Sequence, residues 1–261
     1  MLVHKGVVMI VELVDLSVAR GGTLVLKDVN ATFEGPGLIQ VIGPNGAGKT
    51  TLFLTILGIL KPVKGSVRVN GVIVNGSPNR IREHISYIPQ EFHVPREAPI
   101  SIWEFVEDYA KAYKGVRGFR TPLEIKDKVA SALKSAGLSE DMWSKRLSEL
   151  SGGQLQRALI ARALSTDSDI IVMDEPLSNI DPEGRRVLAD IIGGLSRSKL
   201  VIASSHDPIL LLPYTSKIMV LGYGVYRYGD PEEILTQEVL SNIYRGCIIV
   251  LEKHPHISDW H

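Results

Sequence analysis

The segment Gly43-Pro44-Asn45-Gly46-Ala47-Gly48-Lys49-Thr50 restricts the folds open to this chain more than any other feature. It fills every fixed position of the pattern G-x-x-x-x-G-K-[ST]. Residues 38–42 just before it are a short apolar run, and Leu52, Phe53, Leu54, Ile56 and Leu57 after it leave little polar surface on a helix. A strand, a glycine loop and a buried helix thus follow one another, the opening unit of an α/β domain. The glycines let the backbone curl until successive N–H groups face one phosphate, and the helix starting near Lys49 adds its positive dipole end. Lys49 brings a charge to the β and γ phosphates, and the Thr50 hydroxyl can hold Mg²⁺. The segment predicts binding of a nucleoside triphosphate.

Composition excludes several other readings. A chain of 261 residues is one large domain, or a domain carrying a subdomain. Lys and Arg total 29 and so do Asp and Glu, so there is no basic excess of the kind a nucleic-acid partner leaves. The single cysteine, Cys247, allows no internal disulfide and suits a reducing cytosol. No apolar run approaches the roughly 20 residues that cross a bilayer; residues 52–60 are short and contain Thr55 and Gly58. Apolar residues 7–11 are followed at once by Glu12 and Asp15 without a cleavage pattern, so no signal peptide is expected. Residues 1–8 read as an extension ahead of the first strand. The chain is expected to be soluble, with any membrane role arriving through a partner.

Along the chain, residues 11–16 and 24–33 read as strands joined at Gly21-Gly22, and Asn70-Gly71 marks a tight hairpin. Residues 85–88 form another strand. From 91 to 148 the strand signals stop. Ser101 and Glu104 form a capping box ahead of Ile102, Phe105, Val106, Tyr109 and Tyr113; Thr121, Pro122 and Glu124 open a second helix with the stripe Ile125, Val129, Ala132, Leu133 and Ala136, halted by Gly137. Residues 154–164 are helical. Residues 170–173 and 200–203 are continuous apolar runs, as central parallel strands are. Strand alternation resumes at Lys217, and a helical run near 231–244 precedes a tail.

A second small-residue loop, Leu150-Ser151-Gly152-Gly153-Gln154, also sits at a helix start, where N–H groups and the Ser151 hydroxyl make another anion cradle. The run at 170–173 ends in Asp174-Glu175. Alone, such a pair reads as a solvated turn after a strand. Beside a complete glycine segment, the aspartate can serve the Mg²⁺ shell and the glutamate can orient or deprotonate an attacking water. His206 follows the run at 200–203, where an imidazole can reach a γ-phosphate, although a lone histidine more often serves structure. Gln90, at the end of its strand, says little by itself.

Taken in order, these segments resemble the ATP-binding cassette (ABC) ATPases. The glycine loop is followed by Gln90, then Leu150-Ser151-Gly152-Gly153-Gln154-Leu155-Gln156-Arg157, then Asp174-Glu175-Pro176. Ser178-Asn179-Ile180-Asp181 is similar to the family's D-loop, with Ile180 where Leu is usual, and His206 stands at the switch-histidine position. The resemblance spans about residues 11–230. Kinases, GTPases and helicases share the glycine loop, so the Ser-Gly-Gly-Gln segment is what narrows the family. It implies an α/β P-loop NTPase fold: a RecA-like core with a mostly parallel sheet, an N-terminal antiparallel β subdomain and a helical subdomain inserted at about 91–164. The ATPase domain would span 9–246, and 247–261 would be a C-terminal tail.

The resemblance also implies roles. ATP and Mg²⁺ are the expected cofactors. Gly43, Pro44, Asn45, Gly46, Ala47, Gly48, Lys49, Thr50 and Thr51 would hold the nucleotide, and Thr50, Gln90 and Asp174 would serve Mg²⁺ directly or through water. Glu175 would be the general base, with Lys49, Gln90 and His206 completing the catalytic set. Two cassettes pack head to tail in this family, so Ser151, Gly153 and Gln154 would act on the other copy's nucleotide and Asp181 would connect the sites. One departure stands out: where an aromatic residue usually stacks on adenine, this chain has Arg20, whose guanidinium can stack or can simply be solvated.

The expected role is the ATP-hydrolysing subunit of a transporter, on the inner face of the cell membrane. Its partners would be an integral-membrane permease, a second copy or homologous cassette and, indirectly, a solute-binding protein, with no nucleic acid. Residues 91–100 and 228–236 are similar to the matching stretches of bacterial-type importers for metal ions and metal chelates, and 91–100 would contact the permease. A soluble ATPase of iron–sulfur cluster assembly and an exporter subunit share the catalytic motifs and stay open. Lys111, Lys114, Arg117 and Arg120 around Gly115 and Gly118 form a basic patch that reads as a solvated loop between two helices more readily than as a membrane-facing surface, and His254, His256 and His261 as scattered histidines of a disordered tail more readily than as metal ligands.

Overall fold

The computed structural model describes residues 9–95, 99–117, 121–244, 249–251 and 254–256. Two sheets carry the nucleotide-handling half. β1 (Met9–Arg20) and β2 (Thr23–Gly35) pair antiparallel around the Gly21-Gly22 turn, and β4 (Lys64–Val69) with β5 (Val72–Ile73) completes a four-stranded sheet of order β2-β1-β4-β5. The turn between β4 and β5 is Asn70-Gly71, both at positive φ, as a two-residue hairpin requires.

The second sheet is the framework of the site. β3 (Gly37–Ile42) lies at its centre between β8 (Leu200–Ser205) and β9 (Thr215–Gly222); β7 (Ile170–Met173) and β6 (Ile85–Ile88) extend it on the β8 side. These five strands are parallel, and only the edge strand β10 (Val225–Gly229) runs antiparallel, against β9. Every residue of β3, β7 and β8 is buried, which accounts for their unbroken apolar runs.

The pleat assigns alternate residues to two cores. Ile170, Val172, Leu200 and Ile202 face one side, where α1 (Lys49–Ile56) is enclosed with Leu52, Phe53 and Ile56 against the antiparallel sheet. Ile171, Met173, Val201 and Ala203 face the other side and pack beneath the helices α2 (Ile102–Arg117), α3 (Pro122–Ser135), α4 (Gly152–Leu164) and α5 (Pro182–Ser196). A smaller core joins Ile42, Ile218 and Val220 to α6 (Pro231–Ile234) and α7 (Gln237–Tyr244).

The helix starts follow their capping residues. Ser101 and Glu104 exchange hydrogen bonds at the head of α2, and Thr121 with Glu124 does the same for α3, with Pro122 at the first helical position. Residues 91–148 contain no strand among the described residues, in line with an all-helical insertion.

Some expectations need correction. α2 continues through Lys114 and Gly115 to Arg117, so Lys111 lies on a helix and pairs with Glu107 at 2.9 Å rather than in a solvated loop. The side chains of Tyr113, Lys114 and Arg117, and all of Gly118 and Arg120, lie outside the described residues. The run at 231–244 is two helices, because the chain turns at Leu235-Thr236 between α6 and α7. The tail is not structureless throughout: β11 (Ile249–Leu251) pairs antiparallel with β12 (His254–His256). Residues 1–8, Cys247 and His261 lie outside the described residues. No described helix is long and apolar enough to cross a membrane.

Candidate nucleotide site

The glycine loop emerges from the carboxyl end of the central strand, where ligands of open α/β sheets bind. It needs glycine for two separate reasons. A Cβ on Gly43 would stand 2.3 Å from the Leu221 carbonyl oxygen, and Gly48 combines φ +103° with a Cβ position 2.7 Å from Val25 Cγ1. Any side chain at these points would push the backbone off the path that curls around an anion. Gly48 also caps the N-terminus of α1, whose first residues are Lys49 and Thr50. Lys49 is buried, with Nζ donating to the Gly43 carbonyl at 2.7 Å.

The acids arrive from β7. Thr50 Oγ1 donates to Asp174 Oδ2 at 2.7 Å, which joins the first turn of α1 to the end of β7. Glu175 has φ +49°, and this left-handed turn separates the headings of the two adjacent carboxylates. The Glu175 carboxylate meets three groups: Gln90 Nε2 donates to Oε2 at 2.7 Å, His206 Nε2 lies 2.6 Å from Oε1, and Lys49 Nζ lies 3.6 Å from Oε1. Burial pushes the Glu175 carboxyl up, but the hydrogen bond and charge of His206, with Lys49, outweigh it and leave the group below its usual range. Glu175 is therefore a carboxylate at neutral pH.

A cavity of about 410 Å³ opens over this cluster, lined by Arg20, Val25, residues 44–51, Gln90 and Glu175. The donor set fits a nucleoside triphosphate and its metal. Loop N–H groups and Lys49 offer donors to phosphate, while Thr50 and Asp174 offer the hard oxygens that Mg²⁺ prefers. Among the described residues no aromatic lines the cavity, and Arg20 and Val25 are part of its wall.

The second cradle is built but stands elsewhere. Ser151 caps α4, its hydroxyl accepting from the Gln154 N–H at 3.3 Å while Gln154 Oε1 accepts from the Ser151 N–H at 3.0 Å. None of residues 151–154 lines the cavity of its own chain. The segment leans instead on 179–180: a Cβ on Gly152 would lie 2.9 Å from the Asn179 carbonyl oxygen, and one on Gly153 3.3 Å from Ile180 Cγ2. Gly153 is buried by this packing, whereas Ser151 and Gly152 face outward. Ser178 Oγ donates to the Glu175 carbonyl at 2.8 Å, so a short chain of contacts runs from Glu175 to the Ser151–Gln154 segment. Asp181 caps α5 through a 3.0 Å bond from the Gly184 N–H.

The ABC transporter family profile matches residues 26–178, from β2 to just past the acid pair. This chain belongs to the ABC transporter family. It is 32% identical over 259 residues to a zinc import ATP-binding protein, ZnuC, of Pseudomonas aeruginosa, covering 97% of this chain and 87% of that one. It is 33% identical over 254 residues to a probable metal transport system ATP-binding protein of Thermotoga maritima, covering 97% of each. A dimeric ATP-binding cassette in a post-hydrolysis state bound to ADP and Pi superposes with a TM-score of 0.73 at 27% identity, covering 84% of this chain and 98% of that one. The cassette is thus an ATP-binding α/β P-loop ATPase.

Two residues of the cassette's acid cluster escaped the motif reading. Ser204 is fully buried between Asp174 and Glu175. Tyr87, three residues before Gln90, has its hydroxyl pushed up to about 12 by burial and by the nearby Asp174 carboxylate. The signal for both was position at the carboxyl end of a strand, a weak clue until the sheet order is known.

Proposed function

We propose that this cassette hydrolyses ATP at the interface of two copies and energises a membrane permease that imports metal ions or metal chelates. The observation that carries the hydrolytic reading is the convergence of Lys49, Gln90 and His206 on Glu175, beside a Thr50–Asp174 pair suited to Mg²⁺. Glu175 accepts the proton of the attacking water, and Lys49 and His206 stand where charge develops on the terminal phosphoryl. Mg²⁺, when bound, supplies charge neutralisation of the phosphates, held by Thr50 and Asp174 with Gln90 alongside. Arg20 stacks on the adenine.

The separation of the two cradles supports the dimer. Ser151 and Gln154 head a helix whose N-terminus does not line its own chain's cavity, so the phosphates they serve belong to a second copy, with Asp181 near the passage between sites. Residues 9–246 form the ATPase domain and 247–261 a tail. The permease contacts residues 91–100 on the inner face of the membrane; Arg96, Glu97 and Ala98 of that stretch lie outside the described residues. A solute-binding protein joins only through the permease, and no nucleic acid takes part. The zinc and metal transport names of the relatives favour metal import over an iron–sulfur assembly ATPase or an exporter subunit.

Affinity capture of the full chain from native membranes, followed by mass spectrometry, tests this reading. Recovery of an integral-membrane permease with a metal-binding solute receptor is the expected result, and recovery of soluble scaffold proteins alone would refute it. For Arg20→Ala, weaker discrimination of ATP from GTP is expected; unchanged affinities for both would remove Arg20 from the adenine contact.

A further inference from the structure

We infer that Ser204 is a positioning residue for hydrolysis, a single hydroxyl that fixes both acids of the site. The inference rests on the reading of Asp174 as the metal-side acid and Glu175 as the base. Ser204 is the penultimate residue of β8 and has no solvent exposure. The last ladder pair between β7 and β8 is Met173 with Ala203, so Ser204 stands where β7 ends and the acids begin. Its Oγ donates to Asp174 Oδ1 at 2.6 Å and accepts the N–H of Glu175 at 2.8 Å.

Each bond answers a local need. The Glu175 N–H is buried and lies past the last ladder pair of β7 and β8, and such a donor is costly without an acceptor. Asp174, 1% exposed, receives Thr50 on Oδ2 and Ser204 on Oδ1, so one hydroxyl on each oxygen blocks rotation of the carboxylate plane. The Ser204 O–H is committed to Asp174 and one of its lone pairs to Glu175, so it stands as an orienting group for both acids. Removing the hydroxyl orphans the Glu175 N–H and frees Asp174 to turn, and both acids lose their aim together. Small misplacements of reacting groups cost large factors in rate.

The test compares Ser204→Ala, Ser204→Cys, Ser204→Thr and Glu175→Gln in the full chain. Three quantities are measured: ATP turnover against Mg²⁺ concentration, affinity for a fluorescent ATP analogue in Mg²⁺ and in EDTA, and the thermal midpoint. For Ser204→Ala, turnover should fall about 10- to 100-fold, the scale of a lost hydrogen bond to a charged group. The Mg²⁺ needed for half-maximal rate should rise and the gain in affinity on adding Mg²⁺ should shrink, with affinity in EDTA unchanged. Ser204→Cys, a near-isostere with a weaker donor, should lie between Ala and wild type, and Ser204→Thr should restore Mg²⁺ dependence.

Wild-type kinetics in Ser204→Ala beside an inactive Glu175→Gln would overturn the inference and leave the base intact; normal turnover in Glu175→Gln would sink the base reading itself. Equal losses of affinity in EDTA and Mg²⁺, with a lowered midpoint, would mark Ser204 as merely structural and also overturn it. Should Ser204→Ala fail to fold, Ser204→Cys decides: wild-type Mg²⁺ dependence counts against the inference and a graded loss supports it.

Discussion

Glu175 has a carboxylate whose proton affinity is set by competition between burial and its contacts with His206 and Lys49, and the contacts prevail. Because its folded pKa lies below the ordinary 4.5, its ion pairs stabilise the fold above that pH and are lost as pH falls through the lower folded value. The acid limb of the hydrolysis profile should therefore not place Glu175 protonation at or above pH 4.5, and a Glu175-dependent limb near pH 6 would contradict this. Glu175→Gln keeps the size and the contact with Gln90 but removes the proton acceptor. Nucleotide affinity should survive while turnover drops by about 10²–10⁴, the range for a lost general base. Binding assays and single-turnover hydrolysis, run side by side, separate the two effects.

At the level of elements, the residues proposed for the chemistry lie at or just after the carboxyl ends of β3, β6, β7 and β8, and the proposed anion cradles at helix starts. Gly48 is the joint of the first cradle, because its φ of +103° and the 2.7 Å approach to Val25 forbid a side chain. Gly48→Ala should lose ATP binding with only modest loss of stability, as seen by calorimetric titration and thermal melting; tight binding in this variant would show that the loop can take another path. Asp181 acts on α5, which begins at Pro182 and was not anticipated from the sequence although Asp181-Pro182-Glu183 is a standard helix opening. Asp181→Ala should cost about 1 kcal/mol through loss of the cap, measurable as a lowered denaturation midpoint; an unchanged midpoint would leave the 3.0 Å cap without energetic weight.

For the whole molecule, the central question is why one chain holds two phosphate cradles that do not share a cavity. The contacts of Gly152 and Gly153 with Asn179 and Ile180, and of Ser178 with Glu175, hold the second cradle at a fixed place relative to the base. On the proposed two-copy reading, such a cradle gains its anion only when a second copy presents one. Specific ATPase activity of the purified chain should rise with protein concentration before levelling, and Glu175→Gln with ATP and Mg²⁺ should run as a dimer in sedimentation. A flat specific activity across a wide dilution series, or a strictly monomeric Glu175→Gln at high concentration, would break the two-copy mechanism.

Much of this protein was legible in its residues because the relevant physics is local. A left-handed glycine, a capping box at Ser101 or Thr121, an Asn-Gly turn and a strand buried on both faces each leave a mark within a few positions. Segment order added the family. What the chain could not disclose was who meets whom: that β7 ends between β6 and β8, and so brings Gln90, Glu175 and Ser204 within hydrogen-bond reach across 85 and 29 positions of sequence. In the sequence Ser204 is only one of two serines ahead of His206. Strand order is decided by which apolar faces bury together, a global free-energy minimum that no short window encodes, and with it the tertiary fold alone decided the wiring of the acids.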